Sequence, residues 1–172
     1  VNQEGKRFVN ELETRDNVSA AELAQEGGYA YTILDQKMMD ASSTYNGYFT
    51  KGYAVQADSY EALAEKLGIT DTAAFVESVK RYNECVAAGK DLDFGKEAKW
   101  LTAIDTPPFY GIHRHVRVSA VVSGVNVGPN MEVLAVETNE PIPGLFAIGN
   151  TAGNFYGGVD YSMYMPGLSL GR

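Results

Sequence analysis

The chain has 172 residues, 45% of them hydrophobic and 21% charged, with a formal net charge of −8. This supports a folded core of one domain, or one domain and part of another, and excludes a disordered chain. The acidic balance excludes a nucleic-acid partner or a basic face for anionic lipid. No apolar run approaches the ~20 residues of a membrane span, and the single cysteine, Cys85, excludes an intrachain disulfide and a cysteine metal cluster.

In chain order, Arg7-Phe-Val-Asn10 reads as a short strand. Asn17 is a candidate N-cap for a helix over Val18 to Gln25, closed by Gly27-Gly28. Tyr29 to Leu34 alternates and is rich in β-favouring residues, and Tyr53-Ala-Val-Gln56 reads as a further strand. Asp58-Ser-Tyr-Glu61 has capping-box spacing ahead of a helix striped by Leu63, Leu67 and Ile69. Asp71 caps a second helix to about Ala88, with Phe75, Val76, Val79, Tyr82 and Val86 at helical spacing and Gly89 at its end. Asp91 to Gly95 is a turn-rich loop. Residues 1–106 therefore read as a small α+β region.

Asp105-Thr-Pro-Pro108 is a rigid connector, because consecutive prolines fit neither a helix interior nor a central strand. Residues 107–172 then carry no lysine and are rich in strands and glycine loops. Phe109 to Ala120 is a long strand candidate. Gly124 to Val127 and Met131 to Val136 form a hairpin around Gly128-Pro-Asn130, and Leu145 to Ile148 is a short buried strand. The end of the chain, from Gly149 through Gly158 to Pro166–Arg172, reads as a glycine loop opening a helix that has no C-cap. That pattern is expected of a piece of a larger protein, ending where a cofactor surface is being assembled.

Strand alternation places His113, His115, Arg117 and Ser119 on one face, and Ile112, Val116, Val118 and Ala120 on the other, broken by Arg114. The first set could hold a carboxylate or carbonyl, since Arg and imidazole donate to oxygen; the alternative is a solvated strand face. Two histidines so spaced have no identifiable third ligand, so no metal is expected. Arg15, in Glu11-Leu-Glu-Thr-Arg-Asp16, is by itself one surface charge among neighbours that could pair with it. The loop from Gly149 lacks both the dinucleotide fingerprint and the P-loop pattern.

Several segments in order, Asn2-Gln-Glu-Gly-Lys-Arg-Phe-Val-Asn-Glu11, Thr14-Arg-Asp16, Pro107-Pro-Phe-Tyr110 and Gly144-Leu-Phe-Ala-Ile-Gly149, resemble the fumarate reductase/succinate dehydrogenase flavoprotein family. The resemblance is to its soluble flavocytochrome-like branch, with the urocanate reductases and ketosteroid dehydrogenases. It implies a capping domain over residues 1–106 and the C-terminal part of a split FAD-binding domain over 107–172. It further implies reduction of an activated C=C bond of a small-molecule substrate, with FAD as cofactor of the full-length protein and Arg15 as the proton donor. Gly149 and Asn150 fall where the family holds flavin hydroxyls, Asn150 replacing an acidic residue. Gly167, Leu168, Ser169 and Leu170 match the helix opening that approaches the flavin ring.

The departures concern substrate. An arginine that anchors a substrate carboxylate in fumarate reductases falls at Tyr164, and a substrate-binding histidine falls near Ser119. Fumarate itself is therefore not expected. Tyr156, Tyr161 and Tyr164 would suit an enone, an aromatic acrylate or a larger apolar acceptor, and His113, His115 or Arg117 would supply the missing clamp. Tyr164 as a catalytic residue motivates the alternative of a ketosteroid-type dehydrogenase. A third alternative is that the isolated chain is an inert module without flavin, prone to self-association through exposed strand edges.

Overall fold

The computed structural model describes residues 1–117 and 124–153, Asn150 by its backbone only. It divides into two compact units, Val1–Val116 and Arg117–Arg172.

The first unit is built on a three-stranded antiparallel sheet of β1 (Tyr29–Asp35), β2 (Ala54–Ala57) and β3 (Phe109–His115), in the order β1-β3-β2. β3 is central: Tyr31 pairs with His113 and Leu34 with Tyr110 on one side, Ala54 with Ile112 on the other. Around the sheet lie α1 (Arg15–Leu23), α2 (Gln36–Asp40), α3 (Ser43–Thr50), α4 (Tyr60–Leu67) and α5 (Thr72–Ala87). Tyr31, Ala57 and Phe109 meet Leu63, Ala64, Phe75 and Val79 of α4 and α5 on one face. Leu34, Ala54, Tyr110 and Ile112 meet Met39 on the other. The α+β class read from the sequence is the class observed.

Because β3 hydrogen-bonds to strands on both sides, the division between units falls after Val116, not at the two prolines. Pro107-Pro108, joined by a cis peptide bond, leads into the central strand. The lead-in is gripped by Asp35, whose side chain is fully buried. Its carboxylate accepts from the N–H groups of Met38, Asp105 and Thr106, each at 3.1 Å, and Lys37 Nζ lies 3.2 Å away. One carboxylate thus caps α2 and anchors the approach to β3.

Four local expectations are corrected. Residues 7–10 are irregular, because the Arg7 N–H donates to Ser78 Oγ (3.0 Å) of α5 instead of to a strand neighbour. α1 begins at Arg15 after Thr14, so Asn17 lies inside it and donates to Glu13 Oε2 (3.3 Å). α4 is capped by Ser59, whose Oγ accepts from Ala62 N–H (3.1 Å), and not by Asp58. The segment 145–148 is not a buried strand: β5 spans Pro141–Phe146 with every residue exposed, and of Leu145 to Ile148 only Ala147 enters the core. β1, β2, α4 and α5 lie where hydrophobic periodicity puts them, and Asp71 caps α5 through Ala74 N–H at 2.9 Å.

Residues 1–14 contain no helix or strand, yet they dock closely. Gly5 has φ +80°, and an added Cβ would lie 2.4 Å from Phe75 Cβ and 2.7 Å from its Cα. Gly5→Ala combines left-handed strain with a backbone clash, and destabilises the protein by about 3 kcal/mol. Urea denaturation measures this; an unchanged midpoint would show that residues 1–6 are not docked on α5.

In the second unit, β4 (Glu132–Leu134) pairs antiparallel with β5, and Val127, Val133, Ala147 and Ala152 form the core. The expected hairpin is present: Val127 bridges Val133, and the Gly128 N–H donates to Glu132 O at 2.8 Å. No helix among the described residues is long and apolar enough to cross a membrane.

Candidate functional site

Arg15 opens α1 and is exposed. Thr14 before it has extended backbone, φ −57° and ψ 151°. Asp16 puts a carboxylate in the first turn, where the helix dipole favours negative charge. The Thr14 hydrogen bond first of all holds that carboxyl below its ordinary range.

The other end of α1 is tied to β3. Glu22 is buried at 1% exposure, and its Oε2 forms an ion pair with Arg114 Nε at 3.0 Å. Arg114 shares the sheet face of Ile112, and this buried carboxylate explains a charge that breaks an apolar face. The pair fixes the helix bearing Arg15 to the central strand.

On the opposite face the sequence-derived pair comes together. The His113 and His115 rings lie 4.4 Å apart between centroids, edge to face. Tyr29 packs on both, at 4.5 and 5.6 Å, and Tyr31 on His113 at 5.3 Å. Tyr31 OH donates to Leu67 O (2.9 Å), and burial together with Tyr29 pushes its phenol up to about 12. Burial, then the neighbouring His115, lowers the His113 pKa below the imidazole value. His113 is therefore neutral at pH 7, and in an NMR titration its ring protonates below the ordinary imidazole range; protonation at or above that range would contradict the packing. Arg117 is exposed and belongs to the second unit.

Gly149 starts a 3-10 turn, Gly149–Thr151, that also contains the Asn150 backbone. Its φ is +63°, and an added Cβ would meet nothing within 4 Å among the described residues. The turn lies next to the buried Ala147 and Ala152. Tyr164, Gly167, Leu168, Ser169 and Leu170 lie outside the described residues, as do Ser119, Tyr156 and Tyr161.

The residues that sequence reasoning missed form a charged cluster around Arg7, eight residues before Arg15 in the chain. Arg7 Nη2 lies 2.7 Å from Asp91 Oδ2, and Arg7 Nε and Nη2 reach Glu11 at 2.7 and 3.1 Å. The guanidinium also stacks on Tyr82 and Phe94, 5.1 and 4.8 Å from their centroids. Asp91 is 3% exposed and accepts from the N–H groups of Asp93, Phe94 and Lys96. Burial alone would raise its pKa, but Arg7 and these three donors outweigh burial and hold the carboxyl well below the usual range. Asp91, Asp93 and Cys85 have ligand-type atoms within 4.8 Å of one another. Arg7 takes the first carboxylate and Arg81 the second, at 2.8 and 3.0 Å, so ion pairing accounts for the group. The only sequence signal was the four-residue spacing of Arg7 and Glu11; Asp91 is 84 residues away.

The first unit is an α+β fold in which an arginine heads a docked helix, and the second carries a glycine turn. Residues 1–163 match the family model described as FAD binding domain. The NADH:fumarate oxidoreductase of Klebsiella pneumoniae (strain 342) is 38% identical over 158 residues, covering 92% of this chain and 17% of that protein. A solved structure of the open conformation of a flavocytochrome c3 fumarate reductase superposes with a TM-score of 0.76 at 33% identity, covering 89% of this chain and 27% of that one. The 3-ketosteroid delta1-dehydrogenase from Sterolibacterium denitrificans, in complex with 1,4-androstadiene-3,17-dione, superposes at 0.70 and 26% identity over 89% of this chain and 32% of that one. The chain belongs to the FAD-binding flavoprotein family that includes the fumarate reductases. It spans a third or less of the length of each of these relatives. The cofactor of the family is FAD, and the glycine turn at Gly149 fits a ligand that must be approached closely.

Proposed function

We propose that the protein containing this chain is an FAD-dependent oxidoreductase that saturates an activated C=C bond, with Arg15 as the proton donor. The observation that carries this reading is Arg15 itself: an exposed guanidinium heading a helix anchored by Glu22 to the central strand. The first unit would be the capping domain, and the second would contribute Gly149 and Asn150, with Gly167 to Leu170, to FAD binding. When bound, FAD supplies hydride to one alkene carbon. Arg15 holds the proton for the neighbouring carbon. A guanidinium, with a pKa above about 12, gives up a proton only to a strongly basic carbanion. That requirement fits an alkene activated by a carbonyl or carboxylate, whose remaining charge needs donors. His113, His115 or Arg117 would supply donors for that charge.

The test is oxidation of reduced viologen by the full-length protein with aryl acrylates, enones and fumarate as acceptors. Turnover with the first two classes and little with fumarate is expected, because Tyr164 stands where fumarate reductases carry an anchoring arginine. Absence of turnover with every alkene would overturn the reading.

Dehydrogenation of a saturated ketone is the second reading, supported by similarity to the ketosteroid dehydrogenase and by Tyr164. It requires dye reduction with steroid ketones that is lost in Tyr164→Phe. The six exposed residues of β5, with Phe146 62% exposed, support self-association of the isolated chain through that strand. Sedimentation of the isolated chain should be concentration-dependent, and a monomer at every concentration would exclude it.

A further inference from the structure

We propose that Arg7 is a positioning residue for Arg15, a role that rests on the reading of Arg15 as proton donor. The direction of α1 at its first residue depends on residues 1–14, which hold no helix or strand of their own. Residues 1–3 are tied to β1 and Gln25, by the Val1–Tyr31 backbone pair, Gln3 to Tyr29 and Asn2 to Gln25, and the rest of the stretch is positioned by contacts to α5 and its flanks. Gln3 O accepts from Thr70 N and Oγ1 at 2.9 and 3.2 Å, Gly5 lies against Phe75, and the Arg7 N–H meets Ser78. Beyond Arg7 the backbone turns at Asn10, whose carbonyl accepts from the Glu13 N–H (3.1 Å) and whose Oδ1 accepts from the Leu12 N–H (3.0 Å).

Glu11 is the residue of this stretch that the Arg7 network ties to the body of the unit, and it stands four residues before Arg15. One guanidinium joins the two: it grips Glu11 of this stretch and Asp91 of the body of the unit, while Tyr82 and Phe94 hold its plane. Lys96 Nζ, 3.6 Å from Glu11, reinforces the same join. Asp91 cannot yield, because three backbone N–H groups hold it. The linkage needs a planar fork with several donors. Lysine keeps the charge but reaches only one carboxylate at a time and cannot stack in the same way. A misplacement of about 1 Å at a reacting group costs on the order of 100-fold in rate, so loosening this join is felt at Arg15 even though Arg7 touches no substrate.

The experiment is a double-mutant cycle in the full-length holoenzyme, with Arg7→Lys made alone and in an Arg15→Lys background. Arg7→Lys is expected to lower kcat about 10-fold or more, with KM within about twofold and flavin content unchanged. In the Arg15→Lys background it should lower kcat no further. A wild-type kcat in Arg7→Lys, or an equal loss in both backgrounds, overturns the positioning role, because a merely structural defect would act in either. If Arg7→Lys does not fold, Glu11→Gln leaves the Arg7–Asp91 pair in place and loosens only the Arg7–Glu11 contact; the same non-additive loss of kcat is expected, and additivity overturns the proposal. Wild-type kcat in Arg15→Lys would instead overturn the reading of Arg15, and the proposal with it.

Discussion

Arg15→Gln in the full-length protein lowers kcat by about 10²–10⁴-fold, the range for removing a positioned general acid. Glutamine keeps N–H groups near the same place and can still hydrogen-bond a substrate oxygen, but it has no proton to give to carbon. The loss should therefore fall mainly on kcat. Reduction of the flavin by an artificial donor should proceed at the wild-type rate, because that half of the cycle uses no group on α1. Stopped-flow measurement of flavin reduction and of its reoxidation by substrate separates the two halves. Near-normal reoxidation in the variant would remove Arg15 from the chemistry.

Asp91→Ala destabilises the protein by about 3 kcal/mol or more, the usual cost of stranding one member of a buried pair. Arg7 then keeps only the half-exposed Glu11 against its desolvated charge, and three backbone N–H groups lose their acceptor. The pH dependence has a definite sign. The Asp91 pKa is depressed in the folded state, so its contribution is complete above the unfolded carboxylate value of about 4 and fades as pH falls toward the folded value. Glu11, also depressed because Arg7 outweighs its burial, acts in the same direction. Urea denaturation should show a constant difference between wild type and Asp91→Ala from pH 7 to about 5, shrinking in more acid solution. A difference that grows on acidification would contradict the ion-pair account.

The elements legible in the sequence were those whose signal is local. α5 carries its cap, stripe and terminating glycine within one segment, and β1 carries its alternation. Where two local signals compete, sequence reasoning chose wrongly by a residue or more. Asn17 and Asp58 are good caps, but α1 starts earlier, after Thr14, and α4 uses Ser59. Leu145 and Phe146 are apolar and β-favouring, and nothing in those residue types reveals that β5 pairs only with β4 among the described residues.

The candidate site divides in the same way. Residue pattern singled out the glycine turn at 149 and the two histidines, because glycines and strand alternation are short-range features; Arg15 stood out only through the family resemblance of Thr14-Arg-Asp16. Only the tertiary structure set Asp91 against Arg7 and Glu22 against Arg114, and made Pro107-Pro108 the entry to a central strand instead of a boundary between units. The physical reason is that a charge is placed by what desolvates and neutralises it, and here those partners come from distant parts of the chain, 84 residues away in the case of Arg7 and Asp91. By itself the sequence determined the class of the fold and the family; folding decided which charges are buried and what neutralises them.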